Sequence, residues 1–368
     1  MNDLMTPRTR AASTPVAVLL GLALAAPLMA QAQSSVTIGG VIDAGVTLNS
    51  NQTGKRNTLV DTGIQSPNLL RFRGTEDMGG GNKAIFVLES QFQLDTGAQV
   101  GNFFGRQAYV GISGEWGTLT AGNQYEFMFE SLSLQRFGPV IKYVSLYDLH
   151  QGPFQALGTA NNGMDFNRVA GAFRVNNSLK YTSKNFNGFS FGALIGFGEQ
   201  AEAFGRNGTT SFGANYANGG LTLNAAYTYA KSATIDNGNE GIRNWGLGGR
   251  YVLGAPTVDV LYTNTTNTFT KGQVDVYEAG LTVPLSAPVN LRVYYHLMKG
   301  NAQLTDNKSH QAGMLLDYAF SKRTDVYLNA VYQKASGGAS ARAWITASGA
   351  ASGGDTQTAL RVGVRHAF

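Results

Sequence analysis

Charged side chains in otherwise apolar stretches share one parity, and this spacing limits the chemistry they can do. The chain ends on such a stretch, TALRVGVRHAF, in which Arg361 and Arg365 share one parity. The other parity carries Leu360, Val362, Val364, His366 and Phe368. As a β-strand, this segment has one cationic face and one apolar face. Such a strand can line water with its charges while its other face meets lipid.

The sequence offers little for catalysis or metal binding. It has no cysteine, and its four histidines are His150, His296, His310 and His366. None has a histidine four residues away or an acid at a spacing typical of metal sites. No GxSxG, phosphate-loop or dinucleotide motif occurs. We predict no catalytic residue, no metal site and no cofactor; the alternative, a hydrolase, would need His296 to work with a residue of another strand such as Asp317.

The N-terminus has the three parts of a secretory signal peptide. Arg8 and Arg10 precede an apolar run from Val16, and the run ends at the small-residue motif Ala30–Gln31–Ala32. The run is shorter than the roughly 20 residues of a membrane-spanning helix. We predict a signal peptide at residues 1–32 and a single mature domain at residues 33–368.

The composition of the mature chain favours a β-barrel of the outer membrane. Removal of residues 1–32 takes away two arginines and one aspartate, so the formal charge falls from +5 to +4. This mild excess gives no reason to expect a nucleic acid partner. The chain is rich in glycine (47), phenylalanine (20) and tyrosine (16), and after residue 32 no 18-residue apolar stretch could form a spanning helix. Export, aromatic residues and half-apolar strands together indicate a barrel.

Alternation and turn signals predict sixteen strands. They start near residues 34, 68, 83, 104, 117, 173, 188, 208, 220, 241, 257, 272, 288, 308, 325 and 356. Short turns such as MGGGNK and GEWG alternate with longer polar loops, among them residues 49–67. The predicted fold is all-β, a transmembrane 16-stranded antiparallel up-and-down barrel. A barrel of about 16 strands leaves a water-filled channel.

The connection at residues 125–172 is the longest interruption of the strand pattern. It contains apolar residues such as Phe127, Phe129, Leu132 and Ile141. Long loops inside a compact domain are usually functional or disordered, and aromatic content argues against a loop free in water. We predict that this third long loop folds into the lumen and narrows it.

The parity of the strands predicts which charges face the lumen. The inward cations are Arg71, Arg73, Lys83, Arg174, Lys180, Arg250, Arg292, Arg361 and Arg365, and the inward anions are Asp43, Glu89, Asp95, Asp259, Glu278 and Asp317. The loop adds the acids Glu126, Glu130, Asp148 and Asp165 and the bases Arg136, Lys142 and Arg168. Acids of the loop opposite a basic wall would create a transverse field that sets ion preference.

Several segments resemble the general porins of Gram-negative bacteria, in their neisserial and β-proteobacterial branch. They include SSVTIGGVIDAGV, RFRGTEDMGGGNKAIFVLESQFQLDTG, FGRQAYVGISGEWGTLTAGNQY, FSKRTDVYLNAVYQKASGG and the closing VGVRHAF. The resemblance implies a homotrimer of sixteen-stranded barrels, each narrowed by its third extracellular loop. It also implies a wall cluster of Arg71, Arg73 and Arg106, although Leu69 stands where the family frequently has a further arginine.

The resulting prediction is an outer-membrane channel for passive diffusion of ions and small hydrophilic solutes, with a preference for anions. Its partners are outer-membrane lipid, two further copies of the chain and the outer-membrane insertion machinery, which would read Phe368. The alternative is a substrate-specific channel for a sugar or small organic anion. Its path would be lined by Tyr109, Tyr143, Tyr147, Tyr294 and Tyr327.

Overall fold

The computed structural model describes residues 34–368, so the predicted signal peptide lies outside the described residues. Within this range no helix has the length and hydropathy needed to cross a bilayer. Strands dominate, and the helical elements lie in the connections between them.

Seventeen strands form one closed antiparallel sheet within the described chain. They are β1 Ser35–Gln52, β2 Lys55–Thr62, β3 Leu69–Gly79, β4 Asn82–Gln91, β5 Gln107–Gly114, β6 Gly117–Gln124, β7 Val175–Thr182, β8 Phe189–Gly196, β9 Thr209–Asn218, β10 Leu221–Lys231, β11 Gly241–Val252, β12 Thr257–Asn267, β13 Gln273–Pro284, β14 Val289–Gly300, β15 Lys308–Ala319, β16 Thr324–Ser336 and β17 Thr356–Ala367. From β3 onward each strand pairs with the next, and β17 pairs with β1 to close the barrel.

The seventeen strands occupy sixteen positions around the barrel, which confirms the predicted count. Both β2 and β3 pair with β1: β2 with its second half, from Ala44, and β3 with its first half, up to Val41. The assignment of residues 49–67 to a loop was therefore wrong at β1 and β2. Because β1 continues to Gln52, the backbone groups of its second half need a partner, and β2 supplies it.

Burial along the strands follows the predicted parity. In β17 Arg361 is fully buried, whereas its neighbours Leu360 and Val362 are 40% and 60% exposed. The apolar set therefore faces outward, where hydrocarbon is its solvent. The polar set faces the interior.

The connection between β6 and β7 packs against the inner face of the barrel. It begins with a short helix, Phe127–Phe129, which continues as a π-helical turn, Glu130–Gln135. Phe127, Met128 and Leu132 pack with Leu194 and Leu261 of the wall. Further along, a second set comprises Phe154, Leu157, Phe166, Val274, Val276, Met298 and Leu304. The apolar core thus lies between this connection and the inner wall.

Two glycines allow the start of the connection to lie close to the wall. A Cβ atom at Gly192 or Gly213 would overlap the ring of Phe127. Strands β8 and β9 therefore present a flat backbone surface where the helix begins. A side chain at either position would force this end of the connection away from the wall.

Candidate functional site

Neighbouring strands place three arginines around a single carboxylate. Arg71 of β3 lies directly opposite Glu89 of β4 in the strand register and forms an ion pair with it. The Nε of Arg106, just before β5, is 3.7 Å from the other oxygen of Glu89. Arg73 is exposed and has no ion pair within residues 34–368. We call these four residues the basic wall; three cations and one anion give it a net charge of +2.

A cavity of about 530 Å³ separates the basic wall from the long connection. The four residues of the basic wall line one side of it, together with Tyr109. The connection contributes Tyr125, Phe129, Glu130, Leu134, Phe137 and Ile141. Charged groups and apolar groups therefore face each other across this cavity.

Of the four predicted acids of the connection, two serve its own fold. Glu126 is fully buried and accepts hydrogen bonds from the backbone N–H of Met128 (2.6 Å) and the hydroxyl of Thr228 (2.6 Å). Asp165, also fully buried, accepts from the backbone N–H groups of Ala170 (2.7 Å) and Ala172 (2.8 Å). Burial raises the pKa of Glu126, and it raises the pKa of Asp165 to about 7. Neither carboxylate lines the cavity.

Glu130 is the predicted acid that lines the cavity. It forms an ion pair with Lys180 of β7, whose ammonium also donates to the carbonyl oxygen of Tyr125 (2.9 Å). This pair joins the helical start of the connection to the wall. It adds no net charge to the cavity.

On the β12–β14 side of the barrel, five charged residues form what we call the buried charge cluster. They are Arg136 and Asp148 of the connection, Asp259 of β12, Glu278 of β13 and Arg292 of β14. All are almost completely inaccessible, with side chains at most 2% exposed. A buried charge is tolerated only when it is paired and hydrogen-bonded.

The distances within the buried charge cluster show that each charge has a partner. Arg292 donates to Asp148 (2.9 Å) and Asp259 (2.7 Å), and Arg136 donates to Glu278 (2.8 Å) and Asp259 (3.3 Å). Burial raises the pKa of Asp148 to about 6, and the charge of Arg292 opposes this shift. Because Arg136 and Asp148 come from the connection, the cluster fixes it to three adjacent strands.

The two arginines of β17 also have acidic partners. Arg361 is fully buried and forms ion pairs with Asp43 (3.2 Å) and Asp61. Arg365 pairs with Asp325 (2.7 Å) and donates to the carbonyl oxygen of Lys142 in the connection (2.8 Å). These arginines face inward, but their charges are compensated.

Three further predicted cations lie in separate places. Arg250 of β11 donates to the hydroxyl of Thr222 (2.9 Å).

Arg174 donates to the carbonyl oxygens of Gly105, Gly171 and Ala172, and its guanidinium lies 5.8 Å from the ring centre of Tyr125. Lys83 is exposed near the β3–β4 turn, opposite Asp77.

Asp95 does not face the lumen from a strand, so that prediction was wrong. It is exposed in a turn, because β4 ends at Gln91. The chain bends after Gln91, and the parity rule no longer applies beyond the end of a strand.

A cluster that the sequence analysis missed contains His150, Glu278 and His296. The Nε2 atoms of His150 and His296 are 3.5 Å and 3.7 Å from Oε2 of Glu278, and the two imidazole rings are 4.6 Å apart. Burial lowers the pKa of His150 to about 4, so this imidazole is neutral at pH 7.

The suggested pairing of His296 with Asp317 was wrong, because the register sets His296 opposite Glu278 and Gln311.

Comparison with known proteins identifies the family. A family model described as Gram-negative porin matches residues 16–338. The chain belongs to the Gram-negative porin family. It is 30% identical to outer membrane porin protein 32 of Delftia acidovorans, over 95% of this chain and 99% of that one. It is 27% identical to a major outer membrane protein P.IB of Neisseria meningitidis, over 85% and 91% of the two chains.

A solved structure supports the same conclusion. The porin resembles an anion-selective porin from Comamonas acidovorans, with a TM-score of 0.75 and 25% identity, covering 91% of this chain and all of that one. The predicted resemblance to neisserial and related porins is confirmed. The protein is an outer-membrane channel of the porin type, and its relatives are channels rather than enzymes.

Proposed function

We propose that this porin conducts ions and small hydrophilic solutes by passive diffusion and prefers anions. The observation that carries the proposal is the basic wall, where Arg71 and Arg106 share one glutamate and Arg73 also lines the cavity. Arg73 is exposed there without an ion pair in the described part of the chain. Uncompensated charges along a pore attract counter-ions and set ion preference.

The long connection at residues 125–172 acts as the constriction in this proposal. Leu134 is 41% exposed and lines the cavity opposite the basic wall, as does Ile141. The buried charge cluster and the Lys180–Glu130 pair hold the connection against the wall. A fixed, partly apolar surface facing arginines narrows the path without adding charge.

A planar-bilayer experiment tests the channel and its preference. We expect open pores whose conductance rises with salt concentration. In a salt gradient the reversal potential should have the sign of an anion-selective pore, because the arginines raise the anion concentration in the pore even when salt screens them. Leu134→Trp should lower conductance, whereas the control Leu223→Trp, which changes an outward-facing residue, should not. A non-conducting barrel or a cationic reversal potential would contradict the proposal.

Liposome swelling tests the alternative of a substrate-specific channel. The aromatic path that it needs is not open in the structure: Tyr147, Tyr294 and Tyr327 are at most 5% exposed, and the hydroxyl of Tyr294 donates to the carbonyl oxygen of Tyr147 (3.0 Å). Swelling rates that depend only on solute size support diffusion. Selective uptake of one solute among others of the same size would favour the specific channel.

We also propose that Phe368 has a role in assembly and that the porin forms a homotrimer, as the family resemblance implies. The backbone of Phe368 exchanges hydrogen bonds with Gly40 of β1 (3.1 Å each), while its ring remains 48% exposed. The exposed ring is accessible to the insertion machinery. Deletion of Phe368 should lower the amount of assembled porin in the outer membrane without changing the conductance of the pores that form.

Native mass spectrometry of detergent-extracted porin tests the oligomeric state. We expect three chains per particle. A purely monomeric preparation, or normal assembly without Phe368, would contradict the respective part of this proposal.

A further inference from the structure

We propose that His150, Glu278 and His296 form a zinc site that links the long connection at residues 125–172 to the barrel wall. His150 lies in the connection, while Glu278 and His296 are a directly opposed pair on β13 and β14. One ligand atom from each residue lies within 4.8 Å of the others. Two imidazoles and one carboxylate are a ligand set that Zn²⁺ takes in proteins, with water completing the coordination.

The spacing of the ligand atoms is close to that of a tetrahedral site. Zinc bonds of about 2.0–2.1 Å place neighbouring ligand atoms about 3.3–3.4 Å apart. The two Nε2 atoms are 3.5 Å and 3.7 Å from Oε2 of Glu278. Shifts of a few tenths of an ångström would bring each of these two nitrogen–oxygen pairs to the spacing of a zinc site.

Three of the four imidazole nitrogens of the cluster have no hydrogen-bond partner within residues 34–368. Nε2 of His150 and both ring nitrogens of His296 are buried without a hydrogen-bond partner. Buried polar atoms without a partner are rare in folded proteins, because each has given up its hydrogen bond to water. Two of these atoms, the Nε2 atoms, are directed at one carboxylate, and this is an independent indication of a ligand.

The charges around the cluster favour a cation. The three carboxylates of Asp148, Asp259 and Glu278 face two guanidinium groups, those of Arg136 and Arg292. The carboxylates therefore outnumber the guanidinium groups by one in this buried region. A bound Zn²⁺ ion would offset it.

Neighbouring residues orient two of the ligands. Arg136 holds Oε1 of Glu278 at 2.8 Å, which leaves Oε2 directed at the histidines. The side-chain amide of Asn167 is 3.1 Å from Nδ1 of His150, and its carbonyl oxygen has no partner in the described chain. With the amide turned over, that oxygen accepts from Nδ1–H and leaves Nε2 free for the metal. A hydrogen bond to the nitrogen that does not bind the metal fixes the tautomer of a metal-bound histidine.

Metal binding to tag-free porin in detergent tests the proposal. After removal of metal with a chelator, the full-length protein is titrated with Zn²⁺, and with Co²⁺ as a spectroscopic probe. We expect one tightly held ion per chain and the visible absorption of tetrahedral Co²⁺. Retention of no Zn²⁺ by the wild-type porin after gel filtration would overturn the proposal without recourse to any variant.

Matched histidine variants locate the site. His150→Gln and His296→Gln should each weaken Zn²⁺ binding by about 100-fold or more, since loss of even a residue that only hydrogen-bonds to a metal ligand costs about 10–100-fold. His310→Gln is the control, because His310 lies opposite Leu297, next to His296 in the register, but its exposed side chain points to the outer face of the barrel, away from the cluster. An unchanged affinity for Zn²⁺ in His150→Gln, which alters only the connection, would overturn the proposal. An equal loss of Zn²⁺ affinity in His310→Gln would overturn it as well.

Discussion

The basic wall and the buried charge cluster are built from the same residue types but differ in their balance of charge. At the basic wall Arg71 and Arg106 share Glu89, and Arg73 is open to the cavity without an ion pair in the described chain. In the buried charge cluster two arginines meet three acids, and every member is nearly inaccessible. The inward position of an arginine therefore does not decide its role. Its role depends on the number of its acidic partners and on whether the long connection covers it.

This difference has a simple electrostatic reason. A charge at the edge of water interacts weakly with its neighbours, about 1 kcal/mol at 4 Å, but remains available to passing ions. A charge removed from water must be paired, and it then holds its partners in place. The open arginines thus act on solutes, and the buried ones act on the connection between β6 and β7.

Substitution of Arg292 by methionine should have the strongest effect on stability. It leaves Asp148 and Asp259 without their main cation in a buried region, which costs about 3–5 kcal/mol. We expect a lower thermal unfolding midpoint, measured by circular dichroism, and larger, less uniform single-channel conductance. The control Arg250→Met removes a cation with one hydrogen bond to Thr222 and should change little. Equal unfolding midpoints in both variants would show that the buried pairs do not stabilise the porin.

Reversal of a charge at the basic wall should change selectivity without changing stability. Arg73→Glu lowers the net charge of the wall from +2 to 0, and Arg73 has no ion pair in the described chain to lose. At about 1 kcal/mol for charges 4 Å apart in water, the anion-to-cation permeability ratio should fall about fivefold. Reversal potentials in a salt gradient measure this change. A changed unfolding midpoint with unchanged selectivity would assign Arg73 to structure.

Removal of Lys180 should convert a compensated charge into an open one. Lys180→Met leaves Glu130 unpaired at the cavity, where its side chain is 27% exposed. The anion preference should fall by less than in Arg73→Glu, because Lys180→Met lowers the net charge by one and Arg73→Glu lowers it by two. The same salt-gradient measurement applies, with thermal unfolding as a check that the helix beginning at Phe127 stays in place. A preference as strong as that of the wild type would mean that Glu130 does not affect permeating ions.

Neutralisation of Lys83 should have almost no effect. Lys83 is exposed at the β3–β4 turn, outside the cavity, and salt screens charges in such positions. We expect Lys83→Gln to match the wild type in conductance, reversal potential and unfolding midpoint. A clear fall in anion preference would show that charges at this end of the barrel also set selectivity.

Much of the fold could be predicted because its signals are local. Alternation with period two shows which face of each strand meets lipid, and polar turns mark the strand ends. The closed barrel, the sixteen positions and the inward direction of Arg361 follow from these two rules. Strand β2 was missed because its need for a partner arises from the length of β1, which is visible only when the two strands are paired.

The candidate site could be predicted only in part. Parity indicates that Arg292 and Asp259 face inward, but it does not indicate that they meet Asp148, which is 144 residues from Arg292. Likewise, the acids Glu126 and Asp165 read as pore charges in the sequence, yet their carboxylates accept hydrogen bonds from their own segment. A segment of this length must satisfy its own backbone N–H groups when it is buried.

Local patterns in the sequence specify the barrel, its strand number and the direction of its side chains, because each depends on residues one or two positions apart and on the contrast between lipid and water. Which charges remain open and which are paired is visible only in the folded chain. That choice depends on where the long connection lies against the wall. Its place is fixed by contacts between distant residues, such as those of Arg136 with Glu278 and of Phe127 with Gly213, and such contacts leave no periodic signal in the sequence.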